Sequence, residues 1–248
     1  MKKLTDISYA SHTAARLDIF LPECDTFDAF IYFHGGGISG GDKGGHDHIA
    51  KYLTERNIAF ISANYRMYPD AHYPDFIDDA AMCVKWVQDS ISSYGSCRRI
   101  FVGGSSAGAY ISMMLCFDGE FYEKYGIRPD SISGYVHDAG QPTCHFNVLR
   151  HSGIDSRRVI IDNTAPLYHV GTSPTYPPMH FIVSDNDMAG RYEQTMLLLK
   201  TLEHFGHANI ISHTVMQGTH CHYISPADQN GDSKLGKLIY DFIQSLPA

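Results

Sequence analysis

Two runs in this chain, Ala29 to Phe33 (AFIYF) and Met179 to Val183 (MHFIV), are almost continuously apolar and rich in aromatic and β-branched side chains. Runs this short suit strands, and unbroken apolar character is what a strand needs when both of its faces are covered. Further short runs recur near Leu17 to Phe20, Ile58 to Ala63, Arg99 to Gly103, Ile132 to Val136 and Ile210 to Met216, and MHFIV extends to Ser184. Longer segments of helical period lie between them. Asp75 to Ser93 spaces Phe76, Ile77, Ala80, Val84, Val87 and Ile91 by threes and fours, Arg191 to Phe205 does so through Tyr192, Met196, Leu199 and Leu202, and Lys234 to Leu246 forms a shorter third helix. Such alternation predicts an α/β fold, a mostly parallel central sheet with helices on both faces.

The 248 residues suffice for one α/β domain, which buries roughly 70–75% of the surface its unfolded chain exposes, so residues 1–248 are read as one domain. The segment 138–178 departs from the pattern. It carries Pro142, Pro166, Pro174, Pro177 and Pro178 with many His and Tyr and little periodicity, and is expected to be a cap-like insertion that shapes a pocket. A net charge of -8, from 19 basic and 27 acidic residues, argues against nucleic acid, whose phosphates need a clustered basic face. No run reaches the 18 or so apolar residues of a membrane span. Thr5, Asp6, Ser8 and Ser11 interrupt the stretch a signal peptide would need, so the expectation is a cytoplasmic protein. The six cysteines (24, 83, 97, 116, 144 and 221) form no CxxC pair and are read as resting thiols.

Gly104-Ser105-Ser106-Ala107-Gly108 follows the strand RRIFVG and precedes the helical run AYISMMLCF. A serine on such a strand-to-helix turn is held exposed at a helix N-terminus, and glycines two residues to either side relieve the backbone. Ser106 is therefore the candidate nucleophile, and Ser105, whose own frame lacks the second glycine, is read as a turn residue. Seventy positions upstream of the nucleophile, His34-Gly35-Gly36-Gly37 follows AFIYF directly. A glycine loop can aim bare N–H groups at the oxygen that becomes negative when an ester is attacked. Gly36 and Gly37, with Ala107 after the nucleophile, are the candidate oxyanion donors. A phosphate cradle is disfavoured because neither G-x-x-x-x-G-K-[ST] nor a helix-opening G-x-G-x-x-G is present.

HGGG paired with a downstream G-x-S-x-G resembles the α/β-hydrolases related to hormone-sensitive lipase and, for so short a chain, the bacterial feruloyl and acetyl esterases. Asn64-Tyr65-Arg66-Met67, Tyr73-Pro74 and Asp78-Asp79-Ala80 resemble the stretch that leads into that family's following helix. The resemblance runs from Leu17 onward, is weakest between Asp138 and Pro178, and implies the α/β-hydrolase fold and carboxylesterase activity.

A serine hydroxyl needs a base, and the base needs an acid to orient it. In this fold they follow in the order serine, acid, histidine. Asp187, in Ser184-Asp185-Asn186-Asp187, matches the family's acid position, with Asp185 the alternative. His220, in Gly218-Thr219-His220-Cys221-His222, matches its G-x-H loop, with His222 the rival. The step of 33 residues from Asp187 to His220 leaves room for one helix and one strand.

His46-x-His48 and His220-x-His222 lack the supporting ligands of a metal site. His137 and Asp138 read as a turn after a strand, with pocket lining as the other reading. Trp86, Tyr168 and Tyr176 read as packing residues, and the two tyrosines are also candidates for substrate contact. The implied reaction is serine ester hydrolysis through an acyl-enzyme, on short-chain or aromatic (acetyl or feruloyl-type) esters, with no cofactor or metal. The partner is a small-molecule ester, not nucleic acid or membrane, and the sequence carries no signal for the number of subunits. An imidazole base is lost as pH falls, so activity should decline below about pH 6.5. A peptidase or amidase of the same fold and a non-catalytic ligand-binding homologue are the rival readings.

Overall fold

The computed structural model describes residues 1–225 and 232–247. The strands are β1 (Lys2–Ser8), β2 (Arg16–Leu21), β3 (Thr26–Phe33), β4 (Ile58–Ala63), β5 (Ser96–Ser105), β6 (Gly134–Asp138), β7 (Met179–Asn186) and β8 (Ile211–Thr219). The helices are α1 (Asp47–Thr54), α2 (Asp75–Ser90), α3 (Ala107–Phe117), α4 (Glu120–Glu123), α5 (Phe146–His151), α6 (Arg191–His204) and α7 (Lys234–Ser245). One sheet takes the order β1-β2-β4-β3-β5-β6-β7-β8. The pairs β1–β2 and β2–β4 are antiparallel, and every other pair is parallel.

The alternation of side chains along a strand explains why the middle strands are apolar throughout. Along β3, Ala29, Ile31 and Phe33 join a core filled from α2, α3 and α6. Phe30 and Tyr32 point the other way, into a core with Phe60 and Phe101 that α1 and α7 cover. Residues 138–178 contain α5, a 3-10 turn at Pro166–His169 and a small buried cluster of Cys144, Leu149 and Ala165. The Tyr110 hydroxyl donates to the Thr164 carbonyl at 2.6 Å and that of Tyr73 to Asn163 at 3.1 Å, pinning the segment to the body of the fold.

The elements that escape the periodicity argument include β1 and α1. β1, with the sequence KKLTDIS, is a largely exposed edge strand whose side chains need no apolar alternation. α1 is only 8 residues long and opens in the polar stretch around His46-Asp47-His48. Asp79, in the first turns of α2, is a structural clamp. Its buried carboxylate accepts from the Arg66 backbone N–H (2.8 Å), Nε (2.9 Å) and Nη2 (2.7 Å), tying the loop after β4 to α2. Among the described residues no helix is long and apolar enough to cross a membrane.

Because β3, β5, β6, β7 and β8 run parallel, their C-terminal ends share one edge of the sheet. His34, Ser106, Asp187 and His220 each follow one of those ends.

Candidate active site

Ser106 is the N-cap of α3 and sits at φ 54°, ψ −111°, conformations a side-chain-bearing residue rarely adopts. The strain lies on the serine itself. The flanking glycines serve a different purpose from the one the sequence suggested, since neither has a positive φ. A Cβ on Gly108 would lie 1.9 Å from the Phe33 carbonyl oxygen, and one on Gly104 2.5 Å from the same atom. Both are glycine because β3 passes against the turn, backbone to backbone. The Ser106 N–H donates to the Asp138 carbonyl at 2.7 Å, and the helix that starts at Ala107 presents its positive end to the serine.

The Ser106 hydroxyl lies 2.9 Å from His220 Nε2, and His220 Nδ1 lies 2.6 Å from Asp187 Oδ1. This geometry suits Nδ1–H donating to the carboxylate while Nε2 accepts from the serine. The Asp187 side chain is fully buried and also accepts from the N–H groups of Met188 (2.7 Å) and Ser184 (3.3 Å). Burial pushes its carboxyl up, but the bond to His220 and these N–H donors outweigh it and hold it below the usual range. Asp185, the alternative acid, instead accepts from the Gly218 N–H at 2.8 Å and braces the histidine loop. His222 is exposed and turns its Nδ1 to the Thr219 carbonyl at 2.9 Å, away from the serine.

The glycine loop runs alongside. A Cβ on Gly35 would stand 3.3 Å from Ser106 Cβ. Gly36 and Gly37 take φ of 110° and 66°, which favour glycine. The His34 ring stacks on Tyr65 at 4.6 Å, and the Tyr65 hydroxyl donates to the His34 carbonyl at 2.8 Å. Asn147 Nδ2 donates to the Gly37 carbonyl at 2.5 Å. The first N–H groups of a helix have no acceptor within it, so that of Ala107 is free of the helix ladder.

Several sequence readings change. Ser105 is not merely a turn residue. It is buried, receives a hydrogen bond from the Tyr32 hydroxyl at 2.8 Å and donates to Asp138 Oδ2 at 2.5 Å. Asp138 and His137 are neither turn nor pocket lining but buried residues of β6. Asp138 Oδ1 also accepts from the Tyr223 hydroxyl, and burial raises its carboxyl to about 6 despite these donors. His137 pairs with the Ser112 hydroxyl at 2.9 Å, and burial lowers it to about 3. Tyr168 is 55% exposed rather than packed, whereas Tyr176 is buried and spends its hydroxyl on Gly171, Ser173 and His169. The insertion aromatic at the site is Phe146, whose ring borders Gly37. Trp86 packs at the edge of the core. The His46 ring meets Tyr32 edge-on, and His48 Nε2 faces the Ile224 carbonyl at 2.7 Å.

Residues 30–127 match a family profile described as the α/β-hydrolase fold. A probable isoprenylcysteine α-carbonyl methylesterase of Arabidopsis thaliana is 33% identical over 135 residues, 52% of this chain and 31% of that protein. Carboxylesterase NlhH of Mycobacterium tuberculosis is 34% identical over 93 residues, 37% of this chain and 29% of that protein. The aligned stretches thus span about a third of these curated relatives. A truncated carbohydrate esterase from gut microbiota superposes with a TM-score of 0.78 at 17% identity, covering 99% of this chain and 96% of that one. The chain has the α/β-hydrolase fold.

Proposed function

We propose that this α/β-hydrolase chain is a serine carboxylesterase that works through an acyl-enzyme. One observation carries the reading: Ser106, on a strained turn, is in line with His220 and the buried Asp187 at 2.9 and 2.6 Å. His220 takes the proton of Ser106 as its oxygen attacks the ester carbonyl, and the same imidazole returns the proton to the departing alcohol. Asp187 fixes the tautomer and steadies the imidazolium. The N–H groups of Gly36, Gly37 and Ala107 receive the oxyanion, each such donor typically worth about 10²–10³ in rate. Water activated by His220 then frees the acid, and no step calls for a cofactor.

Esters of short-chain or aromatic acids, of the acetyl and feruloyl type, suit the site, with Phe146 beside the oxyanion loop. The aligned relatives carry esterase names, which supports the ester over the amide as the bond broken. The segment 138–178 is read as the cap of the same domain, since Asn147 and Phe146 reach the glycine loop. The test is hydrolysis of p-nitrophenyl acetate and butyrate by the wild type beside Ser106→Ala. Turnover that disappears in the variant supports the reading. No turnover by the folded wild type refutes it.

A further inference from the structure

One concavity, of about 740 Å³, lies between Met1, Glu23 and Asn57, at the N-terminal end of β4 and therefore across the sheet from Ser106. A smaller one, about 380 Å³, abuts the acid loop and is walled by Gln141, Phe146, Arg150, Arg158, Met188 and Arg191. Met188 follows the candidate acid, and the Phe146 ring borders Gly37, so this pocket runs between the acid loop and the oxyanion loop.

Its charge is opposite to that of the chain. Acidic residues outnumber basic ones 27 to 19 in the whole sequence, yet four arginines and no carboxylate line this pocket. Arg157 is held by Asp155 at 2.5 Å. Arg150 and Arg158 are exposed and make no ion pair among the described residues. Arg191 is only 4% exposed, and its guanidinium donates to neutral oxygens alone, the Ala139 carbonyl and Gln141 Oε1 at 3.3 Å. Burial lowers its pKa, against the pull of Asp187, whose carboxylate is already engaged by His220. A buried guanidinium without an anion is undercompensated, and its planar fork suits a carboxylate.

We propose that this pocket is a carboxylate subsite, so that the preferred substrate is an ester carrying a carboxylate at its end remote from the reacting carbonyl. The inference rests on the esterase reading for its catalytic consequence, but the binding it asserts stands apart from turnover.

Two matched pairs of esters test it. The p-nitrophenyl half-ester of glutarate is compared with p-nitrophenyl valerate, placing the charge on the acyl side, and 4-acetoxybenzoate with 4-methylphenyl acetate, placing it on the alcohol side. In one pair the kcat/KM of the anionic ester should exceed that of its neutral mate by roughly 10-fold at low salt, a preference that falls as salt screens it. The ratio should drop by about 5-fold in Arg150→Gln or Arg158→Gln, the worth of one exposed charge pair. No preference in either pair, or a ratio that survives the double substitution, overturns the subsite. Calorimetry on Ser106→Ala separates the two readings. Binding of monomethyl glutarate that the arginine substitutions weaken upholds the subsite even if the wild type hydrolyses nothing, and absence of binding overturns it even if simple esters are hydrolysed.

Discussion

Replacing Gly108 by alanine inverts the usual sign of such a change. In a helix, glycine to alanine ordinarily stabilises by roughly 0.5–1 kcal/mol. Here the new Cβ would stand 1.9 Å from the Phe33 oxygen, 2.5 Å from its carbonyl carbon and 2.8 Å from the His34 oxygen. Real Cβ contacts stop near 3.0 Å, so β3 and α3 must part by about 1.1 Å (3.0 minus 1.9), with no flexible side chain to yield. Overpacking of this kind costs about 1–3 kcal/mol, and the rigid backbone on both sides puts it at the upper end. Set against the helix gain, the net loss is about 2–2.5 kcal/mol, a fall in Tm of roughly 4–10 °C for a chain of this size. The displaced backbone includes His34, which leads the glycine loop, and a shift of about 1 Å in a positioning element can lower kcat by about 10²-fold. Gly119→Ala is the control, because its Cβ meets nothing within 4 Å, and it should stay within about 0.5 kcal/mol of wild type. Thermal unfolding and p-nitrophenyl acetate hydrolysis, run on both variants, decide the matter. A Gly108→Ala protein indistinguishable from Gly119→Ala in Tm and kcat would refute the close-approach argument.

Asp187→Asn should lower kcat by about 10⁴-fold, as expected when the acid that fixes a catalytic histidine is neutralised, whereas Asp185→Asn, which loosens only the Gly218 N–H, should cost less than about 10-fold; equal losses would contradict the assignment. Asp138, raised to about 6 from an ordinary 3.8, holds its proton more tightly in the folded than in the unfolded chain. Its contribution to stability is fully present below about pH 4 and is lost as pH rises through about 6, by roughly 3 kcal/mol. Asp187 runs the other way, its contribution being lost as pH falls, but it is common to both proteins in a comparison with Asp138→Asn. Urea unfolding should therefore show the Asn variant gaining on wild type between pH 4 and 7, and a constant difference would count against the buried acid. Asn147→Ala frees the Gly37 carbonyl and should lower kcat by about 10-fold with KM little moved; a change confined to KM would place Asn147 in substrate binding instead.

What the sequence revealed of this site was local or periodic. Ser106 stands in a strand, turn and helix that occupy barely twenty consecutive residues, and His220 and Asp187 follow strands whose apolar runs are visible by eye. The parallel core strands are legible for the same reason, because both faces are buried and most positions along them are apolar. The support around the triad was not legible. Ser105, Tyr32 and Tyr223 converge on Asp138 from 33 to 106 residues away, and an aspartate at a strand end is indistinguishable in sequence from one in a turn. Asn147 is a buried polar group in the aperiodic segment, and Arg191 is buried at the head of α6 although it is not among the apolar positions that mark that helix. The glycines of the serine turn were found, but their reason was not, since the contact that requires them is with Phe33, more than seventy residues earlier.

The carboxylate of Asp138 holds, through Ser105, the turn that carries the proposed nucleophile and, through Tyr223, the loop that carries the proposed base. These two halves are separated in time as well as in space. On a ribosome adding about 5–20 residues per second, Ser106 and Asp138 leave several seconds before residues 220 to 223. Until that late loop arrives, Ser106 lacks the imidazole of His220, and Asp138 lacks one of its two hydroxyl donors. On the esterase reading, a nascent chain is thus inert toward esters until that loop has emerged, and the step that completes the buried network is the step that brings the proposed base to the proposed nucleophile.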